Sequence, residues 1–303
     1  MRHYLSFCDM TAAETREVLR MAQGMKRSRG TNQDRPLAGQ QWTMLFAKAS
    51  TRTRVSFEIG LRELGAGVVF MSGDQMQLGR GEPIEDTARV LGRMFHGAVI
   101  RTFAQADLET FARHSGIVTI NALTDSEHPC QILADIFTIE ELRGPIESQR
   151  IAFIGDGACN VPASWILAAK TFGFRLAIAA PRGYQPDRAL VAGSDVVVTE
   201  SVEEAVRGAD VLYSDVWVSM GKEAEAKQRM EDLRGYQINR ERYELAAPGA
   251  LVMHCLPAYR GLEITDDMIE GHAGTIFTQA ENRLHVQKAL IAQLHLWGGA
   301  ARG

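Results

Sequence analysis

The feature that most constrains this chain is a repeating alternation of short apolar runs with stretches of helical period. Residues 42–46, 67–71, 98–101 and 117–120 read as buried strands, and so do 150–154, 176–180, 196–198, 211–213 and 250–255. Helical patterns lie between them, over 11–26, 55–64, 83–94, 108–114, 129–143 and 201–207, with another ending at Phe172 and a last one over 282–297. Thr11 with Glu14 three residues on is a capping box, and Pro129 suits the first position of a helix. Strand and helix alternating throughout predicts an α/β fold of parallel sheets with helices on both faces. The 303 residues are long for one core, and Gly144-Pro145 breaks a helical pattern. The expected domains are therefore 1–144 and 145–303.

Charge and cysteine usage narrow the function classes. A net charge of −4 leaves no basic surface for nucleic acid, so any anion site must be local. No run reaches membrane-spanning length, and residues 1–6 lack a signal-peptide core. Cys8, Cys130, Cys159 and Cys255 are scattered, with no CxxC pair. That pattern argues against a disulfide framework or a structural zinc site, and fits the reducing cytoplasm.

A local anion site is what residues 50–54 offer. Ser50, Thr51, Arg52, Thr53 and Arg54 sit between a buried strand and a helix. A helix start presents unpaired N–H groups and the positive end of the helix dipole. The hydroxyls and forked guanidiniums add convergent donors of phosphate grade. Taken singly, Ser50 or Thr51 could simply cap the helix.

Five further stretches could carry chemistry. Arg101 closes a strand, where ligands of open parallel sheets bind. His128 and Gln131 lie three apart at a helix start, suiting a carbonyl oxygen that gains negative charge. Gly155-Asp156-Gly157 is a dinucleotide fingerprint lacking its third glycine, with Asn160 in that place; a nicotinamide site and an amino-acid site both stay open. Asp215, followed by Ser219-Met220-Gly221, could hold an ammonium or merely cap a turn. His254 and Cys255 are strand neighbours and should face opposite ways, so the histidine should not activate the thiol.

Together, Ser50-Thr51-Arg52-Thr53-Arg54, His128-Pro129-Cys130-Gln131, Asp215 with Ser219-Met220-Gly221, His254-Cys255-Leu256-Pro257 and Glu281-Asn282-Arg283 resemble the ornithine-using branch of the aspartate/ornithine carbamoyltransferase family. Aspartate-using members carry a Pro-Leu-Pro-Arg type segment in place of His-Cys-Leu-Pro and lack Ser-Met-Gly. The resemblance spans essentially the whole chain and implies carbamoyl transfer from carbamoyl phosphate to the δ-amine of L-ornithine, without metal or cofactor. It implies that Ser50, Thr51, Arg52 and Thr53 bind the phosphate, and that Arg101, His128 and Gln131 hold the carbamoyl end. Gln77 would reach a neighbour's site in a homotrimer. Cys255, Leu256 and Arg283 would line the reaction centre, with Arg101, His128, Cys255 and Arg283 catalytic. Asn160, Asp215, Ser219 and Met220 would hold ornithine. The Leu256-Pro257 bond would be cis, and residues from about 284 to 303 would return to the first domain. Cys159 departs from the family pattern, which has a second asparagine there.

Overall fold

The computed structural model describes residues 2–73, 81–219 and 221–300. It forms two compact units, Met1–Ala134 with Glu281–Gly303, and Asp135–Ala280.

In the first unit the chain runs α1 (Ala12–Arg27), β1 (Gln41–Phe46), α2 (Thr51–Glu63), β2 (Gly67–Ser72), α3 (Ile84–Leu91), β3 (Gly97–Arg101), α4 (Gln105–Ser115), β4 (Val118–Leu123) and α5 (Pro129–Arg143). The strands form a parallel sheet in the order β2-β1-β3-β4. The capping box at α1 forms as the spacing predicts: Glu14 N donates to Thr11 Oγ1 and Thr11 N to the Glu14 carboxylate. Leu45, Ile100, Leu108, Phe111 and Ile117 close one core beside the sheet. Burying a side chain of that size contributes roughly 1.5–3 kcal/mol. Phe46 is level with Arg101, so β1 and β3 end together. Between β3 and β4 the register slips by one residue at Arg101, a bulge-like irregularity where the strands end.

The second unit continues with β5 (Arg150–Ile154), α6 (Asn160–Phe172), β6 (Arg175–Ala179), α7 (Arg188–Val191), β7 (Val197–Thr199), α8 (Val202–Val206) and β8 (Val211–Ser214). Then come α9 (Ala226–Asp232), α10 (Arg240–Tyr243), β9 (Leu251–His254), α11 (Asp266–Gly271) and α12 (Ala273–Ala300). Its sheet is parallel, in the order β7-β6-β5-β8-β9. Ile154, Ser214 and His254 are level across β5, β8 and β9, so the residues that follow them leave one sheet edge together. Ala152, Ile154, Leu212, Val252, Ile264 and Ile276 fill the core beneath.

The chain leaves α5 at Gly144-Pro145, where the sequence places a boundary, but the units divide inside that helix. Asp135 explains this, because its carboxylate accepts from Tyr213 Oη and Gln279 Nε2, both at 2.8 Å and both in the second unit. At the other end, α12 belongs with the first unit from Glu281 onward. Lys26 Nζ donates to Asn282 at 2.8 Å, and Lys288 Nζ to Glu63 at 2.6 Å. That helix starts at Ala273, well before the expected 282, since Gly274, Thr275 and Thr278 weaken the local helical signal.

Candidate active site

In the first unit the β1–α2 turn is built as a donor cluster. Ser50 is the N-cap of α2, and its hydroxyl accepts from Thr53 N at 3.3 Å. Thr51 is exposed, Arg52 half-buried and Thr53 fully buried on the first helical turn. Arg283, from α12, donates through Nη2 to Thr53 Oγ1 at 2.6 Å. Arg283 is itself buried, as are Arg101, His128 and Gln131. Burial, with the positive charges of Arg283 and Arg101, holds the His128 imidazole well below the usual histidine range. His128 is therefore neutral at pH 7, beside two guanidiniums. Gln131 N donates to the His128 carbonyl at 3.0 Å, which starts α5.

One member of the expected cluster goes elsewhere. Arg54 lies 3.8 Å over the Phe70 ring and pairs with Glu58 at 3.4 Å. Helical spacing turns it away from Thr53, which leaves Ser50, Thr51, Arg52 and Thr53, with Arg283 beside Thr53, as the candidate donors. Lys48 is a feature the sequence reading passes over. It is buried, bonds to the Asp125 carboxylate and sits 4.2 Å from the Phe103 ring centroid. A lysine between an apolar strand and a helix cap was the available signal. Cys130 is packing: its thiol donates to the Asn121 carbonyl at 3.3 Å, and burial pushes it up to about 12.

In the second unit Asp215 and Cys255 meet where β8 and β9 end. Cys255 Sγ donates to Asp215 Oδ1 at 2.9 Å, and Val216 N donates to the same oxygen at 2.7 Å. Burial raises the Asp215 carboxyl above its ordinary value. Burial, then the Asp215 carboxylate, pushes the Cys255 thiol well up, so it is a protonated donor and not a thiolate. His254 has other partners. Its Nδ1 accepts from Leu256 N at 2.9 Å, and its Nε2 lies 3.3 Å from Glu263. The Leu256-Pro257 bond is cis, as the resemblance implies, and Leu256 has φ of +59°.

Asn160 opens α6 and Cys159 caps it; the Cys159 thiol donates to the Asp156 carbonyl at 3.2 Å. The glycines before them have a packing reason. A Cβ on Gly157 would come within 2.9 Å of Ile178 and 3.0 Å of the Tyr184 carbonyl, and Gly155 has φ of +133°. Asp156 is turned to a buried pair with Arg229, at 2.6 Å, which also donates to the Trp217 carbonyl at 3.3 Å. The turn is thus accounted for by packing and an ion pair. Ser219 is half-buried, and its carbonyl accepts from Lys222 N at 3.0 Å. Gln77 and Met220 lie outside the described residues. Among the described residues no helix is long and apolar enough to cross a membrane.

Comparison with known proteins places both halves of the chain in one family. The family model "Aspartate/ornithine carbamoyltransferase, carbamoyl-P binding domain" matches residues 2–141, and the corresponding "Asp/Orn binding domain" matches residues 147–294. An ornithine carbamoyltransferase of Akkermansia muciniphila is 53% identical over 299 residues, covering 97% of this chain and 98% of the relative. The crystal structure of an anabolic ornithine carbamoyltransferase from Campylobacter jejuni matches with a TM-score of 0.90 at 36% identity, over 96% of this chain and 98% of that one. The Pyrococcus furiosus ornithine carbamoyltransferase matches with a TM-score of 0.90 at 40% identity, over 96% of each chain. With both family domains matched and full-length relatives at this identity, the chain belongs to the aspartate/ornithine carbamoyltransferase family.

Proposed function

We propose that the chain transfers the carbamoyl group of carbamoyl phosphate to the δ-amine of L-ornithine, giving L-citrulline and phosphate in arginine metabolism. The observation that carries this is the contact of Arg283 with Thr53 beside a neutral His128. Two buried guanidiniums and an open helix start can bind a dianion while an uncharged imidazole meets its carbonyl. The Asp215–Cys255 pair supports the amino-acid half, since a buried carboxylate favours an ammonium partner.

In this reading Ser50, Thr51, Arg52 and Thr53 bind the phosphate, and Arg101, His128 and Gln131 hold the carbamoyl end. Arg101, His128 and Thr53 stabilise the developing oxyanion, and a good donor of this kind is worth roughly 3–4 kcal/mol. Asn160, Asp215, Ser219 and Met220 hold ornithine, while Cys255, Leu256 and Arg283 border the reacting atoms. The amine sheds a proton, because an ammonium has no lone pair, and its nitrogen attacks the carbonyl carbon. The tetrahedral intermediate then breaks its C–O bond, and phosphate leaves with the electron pair. The chain works as a homotrimer to which Gln77 contributes across copies, in the cytoplasm, where its free thiols persist.

The test is initial-rate formation of carbamoylated product from carbamoyl phosphate with ornithine, putrescine and N-acetylornithine. Ornithine is expected to be preferred strongly. Putrescine lacks a carboxylate and would leave the residues around Ser219 without a partner. Equal rates with putrescine, or no product from ornithine, would overturn the assignment.

A further inference from the structure

Glu127 immediately precedes His128, is buried, and has no part in the carbamoyl-transfer scheme above. Its carboxylate accepts from Phe7 N at 2.9 Å, a contact 120 residues apart in sequence, and is also bonded by the Ser6 hydroxyl. A buried carboxylate is unfavourable unless such bonds satisfy it, and burial raises this one above its ordinary value.

The segment it grips is closely hydrogen-bonded. Ser6 and Asp9 close a capping box around a short helical turn, with Leu5 N and Ser6 N donating to the Asp9 carboxylate at 2.6 and 2.9 Å. Phe7 is fully buried. Tyr4 lies alongside the sheet-edge strand β4, donating to the Thr119 carbonyl at 3.0 Å and accepting from Asn121 N at 2.8 Å. The Leu5 carbonyl accepts from Asn121 Nδ2 at 2.8 Å and Gln105 Nε2 at 3.2 Å.

The turn it belongs to is held from the same direction. Thr124 Oγ1 donates to Gln105 at 2.8 Å, Thr124 N donates to the Glu127 carbonyl at 2.9 Å, and Glu127 N to Thr124 Oγ1 at 3.2 Å. Lys48 grips Asp125 in the middle of that turn. Residues 124–128 are therefore clamped between the β1–α2 turn and the start of the chain, and Glu127 is the clamp nearest the imidazole.

We propose that Glu127 is a positioning residue for His128, fastening the turn that delivers the imidazole to the N-terminal segment, so that residues 3–9 are part of the scaffold of the reaction site. This rests on the reading of His128 as a group that holds the carbamoyl end.

The test compares Glu127→Ala and Glu127→Gln, each made with His128 intact and in a His128→Ala background, by steady-state citrulline formation. Small misplacements of a reacting group can cost up to about 100-fold, so Glu127→Ala is expected to lower kcat about tenfold with the ornithine KM little changed. Glu127→Gln keeps an oxygen acceptor for Phe7 N and should recover most of the loss. In the His128→Ala background Glu127→Ala should bring no further loss, because the two act as one unit. Wild-type kcat in Glu127→Ala, or an undiminished loss in the His128→Ala background, would overturn the proposal. Should the alanine variant not fold, Ser6→Ala removes one bond to the same carboxylate. A smaller loss of kcat that vanishes with His128→Ala supports the proposal, and a loss that persists there overturns it. A wild-type chain that forms no citrulline overturns the function reading first, before any substitution is compared.

Discussion

Cys255 is kept as a thiol by burial and by the Asp215 carboxylate it donates to, so its contribution is a hydrogen bond and not a covalent bond to substrate. A bond to a charged group is worth about 1.5–3 kcal/mol. Cys255→Ala is therefore expected to lower ornithine turnover roughly 10- to 100-fold, with carbamoyl-phosphate binding intact, and Cys255→Ser, which retains an O–H donor, to recover part of it. Steady-state rates for the two variants check this, and unchanged turnover in Cys255→Ala would reduce the cysteine to packing. His128 makes a pH prediction. Its folded-state pKa lies below that of the unfolded chain, so below about pH 6.5 the unfolded chain binds the extra proton. Stability should fall by about 1.4 kcal/mol per pH unit from this group as pH drops below about 6.5, until the folded-state pKa is reached. Urea titrations at pH 7.5 and 5.5 should show a smaller acid loss in His128→Gln than in wild type; identical losses would contradict a neutral buried imidazole.

At the scale of elements, the Asp156–Arg229 pair ties α9 to the β5–α6 turn. Both partners are buried, so Arg229→Leu leaves an uncompensated carboxylate and should cost about 3–5 kcal/mol in unfolding free energy, read by urea titration. A loss below about 1 kcal/mol would mean that solvent reaches Asp156. This pair also shows where sequence reading stops. Gly155-Asp156-Gly157 resembles a cofactor loop in one dimension, and only the partner at position 229 reveals a structural turn. By contrast, the β1–α2 and β4–α5 turns were legible, because capping and strand-end chemistry are local. Arg54 shows the opposite: Glu58 on the same helix and the Phe70 ring beside it engage its guanidinium, and the Phe70 partner is not visible in the local pattern. α12 buries Asn282, Arg283, His285 and Gln287 among apolar Leu284, Val286, Ala289 and Leu290, so its pattern reads as helix without marking a site. Only the short Glu281-Asn282-Arg283 motif marked its importance.

For the whole molecule, a matched family domain covers each half of the chain, and the proposed roles divide the same way: anion donors from the first unit, an amine-holding carboxylate from the second. If the free amine is the attacking species, kcat/KM for ornithine should rise with pH through neutrality, since an amine of the lysine type titrates near 10.4. A pH-independent profile between 6.5 and about 8 would contradict this, and stopped-time citrulline assays decide it. The account depends most on the donor cluster at the start of α2. Its most direct test is equilibrium titration of carbamoyl phosphate into wild type and Arg52→Ala. Charge-assisted forked bonds to a phosphate in a partly desolvated site predict at least a roughly 100-fold weaker affinity in the variant. Binding at near wild-type affinity would contradict the account.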